Sequence, residues 1–164
     1  MTRRTIVATL LATLFCALLL PLASARTTTV PAHAVVKVAF NKTLKKSILV
    51  DARGFTLYMY SSDLPNSPAC YNDATYHCSK AWPPLLTKGA PQPGKGAKAS
   101  LLGTVKRTGG GLQVTYKGHP LYTDAGARSF GLTADKKPGD VNGQRFLEIW
   151  FVLSPAGAPI RVRP

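Results

Sequence analysis

Cys70, Asp73, His77 and Cys78 lie within one short segment, and thiolates grouped with an imidazole can hold zinc or copper. The cysteine spacing is not that of a zinc ribbon, and in an oxidising compartment the same two sulfurs pair instead. A Cys70–Cys78 disulfide is the favoured reading, and a metal or redox site at Cys70, His77 and Cys78 is the alternative. Tyr58, Tyr60 and Asp63, with Tyr122 downstream, suit ligand binding, because phenols stack on a sugar or aromatic ring while a carboxylate orients it. The same residues suit a structural role, with Tyr58 packed at a sheet end and Asp63 accepting backbone N–H groups before Leu64-Pro65-Asn66. A Leu-Tyr pair recurs at Leu121-Tyr122 where the Asp does not, which favours the structural role.

Other chemistries find little footing. There is no Gly-x-Ser-x-Gly word, and Ser129 and Ser154 have no base beside them, so a serine hydrolase is not indicated. The 7 acidic residues show no pairing of the glycosidase kind. Asp140-Val141-Asn142-Gly143 has part of a calcium-loop pattern but lacks the remaining oxygen positions, and reads as a turn. Covalent haem would need Cys-x2-Cys-His, which is absent, and the lysine-rich loops lack phosphate-loop glycine spacing. The expectation is a non-enzymatic protein with no cofactor.

The elements that hold these residues come in two copies. Trp82, Leu85, Gly89, Ala90 and Pro91 repeat as Trp150, Leu153, Gly157, Ala158 and Pro159, an offset of 68 (150 − 82). Upstream, Val50, Gly54, Leu57 and Tyr58 repeat as Val114, Gly118, Leu121 and Tyr122, an offset of 64 (114 − 50). The second connector is thus four residues longer by this arithmetic (68 − 64). A repeat of this kind dictates how an interior is shared between halves.

Alternation in Val36, Val38 and Phe40, followed by Ser47 to Asp51, predicts a β-hairpin. Ala52-Arg53-Gly54 supplies a turn before a strand Phe55 to Tyr60, with Phe55, Leu57 and Met59 on one face and Thr56, Tyr58 and Tyr60 on the other. The second copy offers strands at Leu102 to Lys106, Leu112 to Tyr116 and Pro120 to Tyr122, and a fourth strand carries the tryptophan in each copy. No convincing helical period occurs, and 13 Pro and 14 Gly punctuate the chain. The fold class is all-β: two tandem repeats of about four strands each, packed as one pseudo-two-fold β-sandwich or partly closed barrel.

Residues 1–25 read as a signal peptide, with Arg3 and Arg4, an apolar run from Ile6 to Leu22 and Ala23-Ser24-Ala25, cleaved after Ala25. An uncleaved anchor is the alternative, and the apolar run favours general secretory export over the twin-arginine route. Residues 26–34 form a flexible lead-in, 35–98 the first repeat and 99–164 the second, with Lys88 to Lys98 as the linker. Without the leader, 19 Lys and Arg face 7 Asp and Glu, a formal +12. Outside the cytoplasm such a charge favours lipid head groups or wall polymers, with no nucleic acid expected.

Tyr58-x-Tyr60-x-x-Asp63, the cysteine pair and Trp82-Pro83-Pro84-Leu85-Leu86 resemble the bacterial secreted-repeat family defined by a Tyr-x4-Asp motif, often labelled predicted lipoproteins. Lys137 to Gly143 and Trp150 to Pro155 resemble the family's closing segment. The resemblance implies secretion or membrane anchoring, a β-rich repeat and no assigned activity. Two departures stand out. The second copy has Tyr122-Thr123-Asp124-Ala125-Gly126-Ala127, and an apparent insertion, Arg128 to Ala134, leaves Asp135 or Asp140 as replacements for the lost carboxylate. Cys16 is poorly placed for lipid attachment, because the bulky Phe15 precedes it and more apolar sequence follows.

Overall fold

The computed structural model describes residues 33–72 and 77–164. The signal peptide, most of the lead-in, and Asp73 and Tyr76 lie outside the described residues. Strand is the main regular structure and helix is almost absent, with several sheets and none closed into a barrel.

The hairpin forms where alternation placed it, as β1 (Val35–Asn41) and β2 (Lys46–Val50), antiparallel from Lys37↔Val50 to Asn41↔Lys46. Its turn is fixed by Asn41, whose Oδ1 accepts the Leu44 N–H at 2.9 Å, an Asx-type closure. Gly54 follows at φ +93°, and its repeat partner Gly118 sits at φ +81°. Both turns use the left-handed backbone that glycine adopts without a Cβ penalty.

Of the strand expected over Phe55 to Tyr60, only β3 (Tyr58–Tyr60) is regular, although Thr56 bridges back to Val50. A single helical turn, α1 (Cys78–Ala81), leads to Trp82. Next come β4 (Leu86–Thr87) and β5 (Gln92–Pro93), then β6 (Leu102–Lys106), β7 (Leu112–Tyr116), β8 (His119–Pro120) and β9 (Trp150–Val152). The sheets run β2-β1-β5, β3-β9 and β4-β7-β6, with β8 on β7.

Two elements differ from the sequence expectation, each for a reason visible in the residues. The tryptophan strand of the second copy is β9, but its counterpart in the first copy is no strand, because Pro83 and Pro84 have no N–H to give a ladder. What survives is a bridge Pro84↔Tyr122 and the Leu85 N–H to Leu121 O bond of 2.9 Å. The linker, in turn, contains a strand: β5 lies parallel to β1, and the Gly94 and Gln92 amides donate to Val36 O and Ala34 O at 2.8 Å. Pro93 is tolerated there because an edge strand leaves one side unpaired. Just before β1, Ala34 is buried and its N–H donates to Thr87 Oγ1.

The expected single interior is divided in two. Tyr58, Val50, Trp82, Tyr122, Trp150 and Val152 belong to one buried cluster. Leu57, Leu49, Met59, Leu121, Phe151 and Leu153 belong to another. Neighbouring residues in β3 and β9 therefore point into different clusters, which is period-two geometry with both faces covered. Each cluster draws on both copies.

Candidate functional site

The centre of the molecule is an aromatic assembly with matching halves. Tyr58 and Tyr122 exchange reciprocal backbone hydrogen bonds of 2.9 and 3.0 Å. The Ser61 amide donates to Ile149 O at 2.8 Å, and the repeat-related Ala125 amide donates to Ala81 O at 2.8 Å. These pairs obey the same offsets that relate the sequence words, 64 (125 − 61) and 68 (149 − 81). Trp82 and Trp150 stack face to face, centroids 3.9 Å apart and planes within 5°. Tyr58 meets Trp82 edge-on at 5.3 Å, and Tyr122 meets Trp150 edge-on at 5.3 Å. Such edge contacts suit the ring quadrupole.

The two tyrosine hydroxyls reach across the copies. Tyr58 donates to Asp135 Oδ2 at 2.7 Å, and Tyr122 donates to Asp63 Oδ1 at 3.3 Å. The motif partner Asp63 thus serves the other copy's tyrosine, and Asp135 takes the carboxylate role that the degenerate second motif lost. Asp135 also accepts the Asn142 N–H at 2.9 Å, and Asp63 accepts the Ala69 N–H at 2.7 Å. Burial is the leading cause of raised pKa values here: Tyr58 and Asp135 are pushed upward, and Asp63 rises to about 6. Asp124, close to Asp135, is pushed to about 7 by burial, with the Gly126 N–H opposing and Asp135 adding to the rise. No group among the described residues hydrogen-bonds Asp124 Oδ2. Gly143 closes this region: an added Cβ would stand 2.5 Å from the Trp82 ring and 3.0 Å from Asp124 Oδ2.

Of the proposed ligand-contacting residues, Tyr58 and Tyr122 are fully buried and Asp63 is half-buried; both hydroxyls and Asp63 Oδ1 serve internal bonds, and Asp63 Oδ2 has no hydrogen-bond partner among the described residues. Tyr60 alone of the four is among the residues lining an open groove of ≈ 550 Å³. Its ring stacks on Trp150 at 4.5 Å. Cys70 and Cys78 are joined, S–S 2.05 Å, as the favoured reading expects, and a sulfur held in a disulfide offers no thiolate to a metal. Of the repeat landmarks, Val50, Leu57, Trp82, Val114, Leu121 and Trp150 are all buried.

Several residues escaped the sequence reading. Arg107 is buried in a turn, where it donates to Gln113 Oε1 and to Cys70 O (2.7 Å) and lies over the Tyr71 ring at 4.3 Å. It ties the disulfide connector to the second copy. Phe146 and Leu147 belong to a turn in which Arg145, Leu147 and Glu148 hold φ of 61°, 50° and 58°, at a cost of about 1–2 kcal/mol for each such residue. Ion pairs Arg145–Glu148 (2.7 Å) and Arg163–Glu148 (3.1 Å) hold it. A lone Arg in a turn and non-glycine residues in left-handed backbone carry no sequence signal.

The charges are also sorted by the fold. Asp51 is buried and takes the Arg53 and Phe55 amides; Asp140 takes those of Lys136 and Lys137. Glu148 is paired with two arginines. No described lysine forms an ion pair with a described acid. Asn41 Nδ2 donates to Gly139 O at 2.9 Å, which joins the hairpin turn bearing Lys42, Lys45 and Lys46 to the loop bearing Lys136 and Lys137. All five are exposed.

Residues 103–154 match the model of a lipoprotein family described as a secreted repeat of unknown function. The match covers most of the second copy and agrees with the secreted-repeat resemblance, without displaying the Tyr-x4-Asp motif itself. No curated protein and no solved structure matches the chain. No helix among the described residues is long and apolar enough to cross a membrane.

Proposed function

We propose that this is a non-enzymatic, exported envelope protein whose lysine-rich end binds anionic envelope components, lipid head groups or wall polymers. The carrying observation is the Asn41–Gly139 bond, which gathers Lys42, Lys45, Lys46, Lys136 and Lys137 at one end. Asp135, next to Lys136 in sequence, is held by the Tyr58 hydroxyl and the Asn142 amide, and Asp140 accepts the Lys136 and Lys137 amides, so both charges are partly committed inside the fold. Clustered cations with few opposing acids attract polyanions over about a Debye length, ~10 Å at 0.1 M salt.

In this reading the leader ends at Ala25, the repeats are 35–98 and 99–164, and they pack as a pseudo-two-fold sandwich. The stacked indoles and reciprocal Tyr58–Tyr122 bonds support that packing. Co-sedimentation of residues 26–164 with anionic vesicles and with purified wall polymer is the test. Binding at low salt that fades at high salt, and weakens in Lys136→Glu/Lys137→Glu, is expected. Absence of binding at low salt, or salt-insensitive binding, contradicts the proposal.

A further inference from the structure

The groove beside the aromatic stack has features that the lysine end does not explain. Its lining includes the buried Trp82 and Trp150, each 3% exposed, and the outlying Phe130 at 59% and Leu147 at 66%. Large apolar side chains left exposed along one concavity mark a binding surface more than a chance of packing. Leu147 is held out there in left-handed backbone, at φ 50°, by a turn that two arginines pin through Glu148. Among the described residues, Leu147 belongs to neither buried cluster. The volume, ≈ 550 Å³, is that of a small-molecule site.

The charge of the lining narrows the ligand. Among the described residues that line the groove, Lys80 and His77 are the ionisable side chains besides Tyr60, and none is a carboxylate. Lys80 is exposed and forms no ion pair with a described acid. We infer that the groove takes one molecule of an anionic amphiphile, its apolar body against the Trp82, Phe146 and Leu147 side chains and its negative head at Lys80. The occupant is a single dissolved molecule, because the surface is concave and the indoles in its lining are buried. This site does not rest on the polyanion reading, since none of the five lysines of the basic end lines it.

The chain's only tryptophans line the groove, so their fluorescence reports occupancy directly. Residues 26–164 would be titrated with dodecanoate below its micelle concentration and, separately, with dodecyltrimethylammonium. The expected result is a saturable one-to-one change for dodecanoate, at least tenfold tighter than for the cation. Lys80→Glu should abolish that preference, and Leu147→Asp should weaken dodecanoate about tenfold while circular dichroism and thermal midpoint stay unchanged. Lys136→Glu/Lys137→Glu should leave it intact. No saturable change, equal affinity for the two detergents, an unaffected folded Leu147→Asp, or response to anionic vesicles alone would each overturn the inference.

Discussion

The two tyrosine–aspartate pairs occupy equivalent places in the two copies, yet they differ in how they are held. Tyr58 and Asp135 meet at 2.7 Å, with the Gly143 and Asn142 amides on the hydroxyl and the carboxylate. Tyr122 and Asp63 meet at 3.3 Å, on the connector that the disulfide closes and Arg107 braces. The fold requires a carboxylate at each position in space and is indifferent to its place in the chain. Asp63 arrives five residues after Tyr58, and Asp135 arrives thirteen after Tyr122. Each serves the tyrosine of the other copy, so the pairs act as staples between halves.

If the stacked indoles join the halves, truncating either should do similar harm. Trp82→Ala and Trp150→Ala are each expected to cost about 3–5 kcal/mol, read as the shift in urea unfolding. A large asymmetry between them would break the equivalence. Next in size, Cys70→Ser/Cys78→Ser should cost about 2.5 kcal/mol through the entropy of the opened loop. It should loosen the Asp63 side alone, so amide exchange should quicken at Ala69 and not at Asn142.

The tighter pair should also matter more. Asp135→Asn is expected to cost about 2 kcal/mol and Asp63→Asn about 1 kcal/mol, since a buried charge-assisted bond is worth more than a longer, half-exposed one. Equal costs would say that the difference in geometry is energetically idle. A separate effect is in pH. Burial raises Asp124 to about 7 and Asp63 to about 6, so the folded state binds their protons more tightly than the unfolded state. That contribution is fully present below the ordinary carboxylate range and is lost as pH rises through about 6 to 7. The wild type should therefore gain stability relative to Asp124→Asn between pH 8 and pH 5, as measured by urea midpoints. The opposite sign would place a stabilising cation beside Asp124.

Much of the frame was legible because it rests on local rules. The β1–β2 hairpin follows from alternation around Asn41, and Gly54 and Gly118 announce their turns. Leu57 and Tyr58 were assigned to opposite faces, and they enter different clusters. The disulfide follows from the two cysteines that remain once a leader bearing Cys16 is removed. What escaped was non-local. The Tyr-x4-Asp spacing suggests a partnership inside one copy, whereas the bonds run between copies over separations of 77 and 59 residues. The basic end depends on a side chain and a carbonyl 98 residues apart, so lysines that look scattered in sequence are neighbours in space. The groove needs Leu147 in a backbone region that leucine seldom enters, which no pattern of residue types encodes.

A double-mutant cycle on Tyr58 tests the exchange of carboxylates most directly. Tyr58→Phe would be combined with Asp135→Asn in one cycle and with Asp63→Asn in the other, with stability read from urea unfolding. The cross-copy bond predicts a coupling of about 1–2 kcal/mol with Asp135 and additivity with Asp63. Coupling to Asp63 with additivity at Asp135 would contradict it.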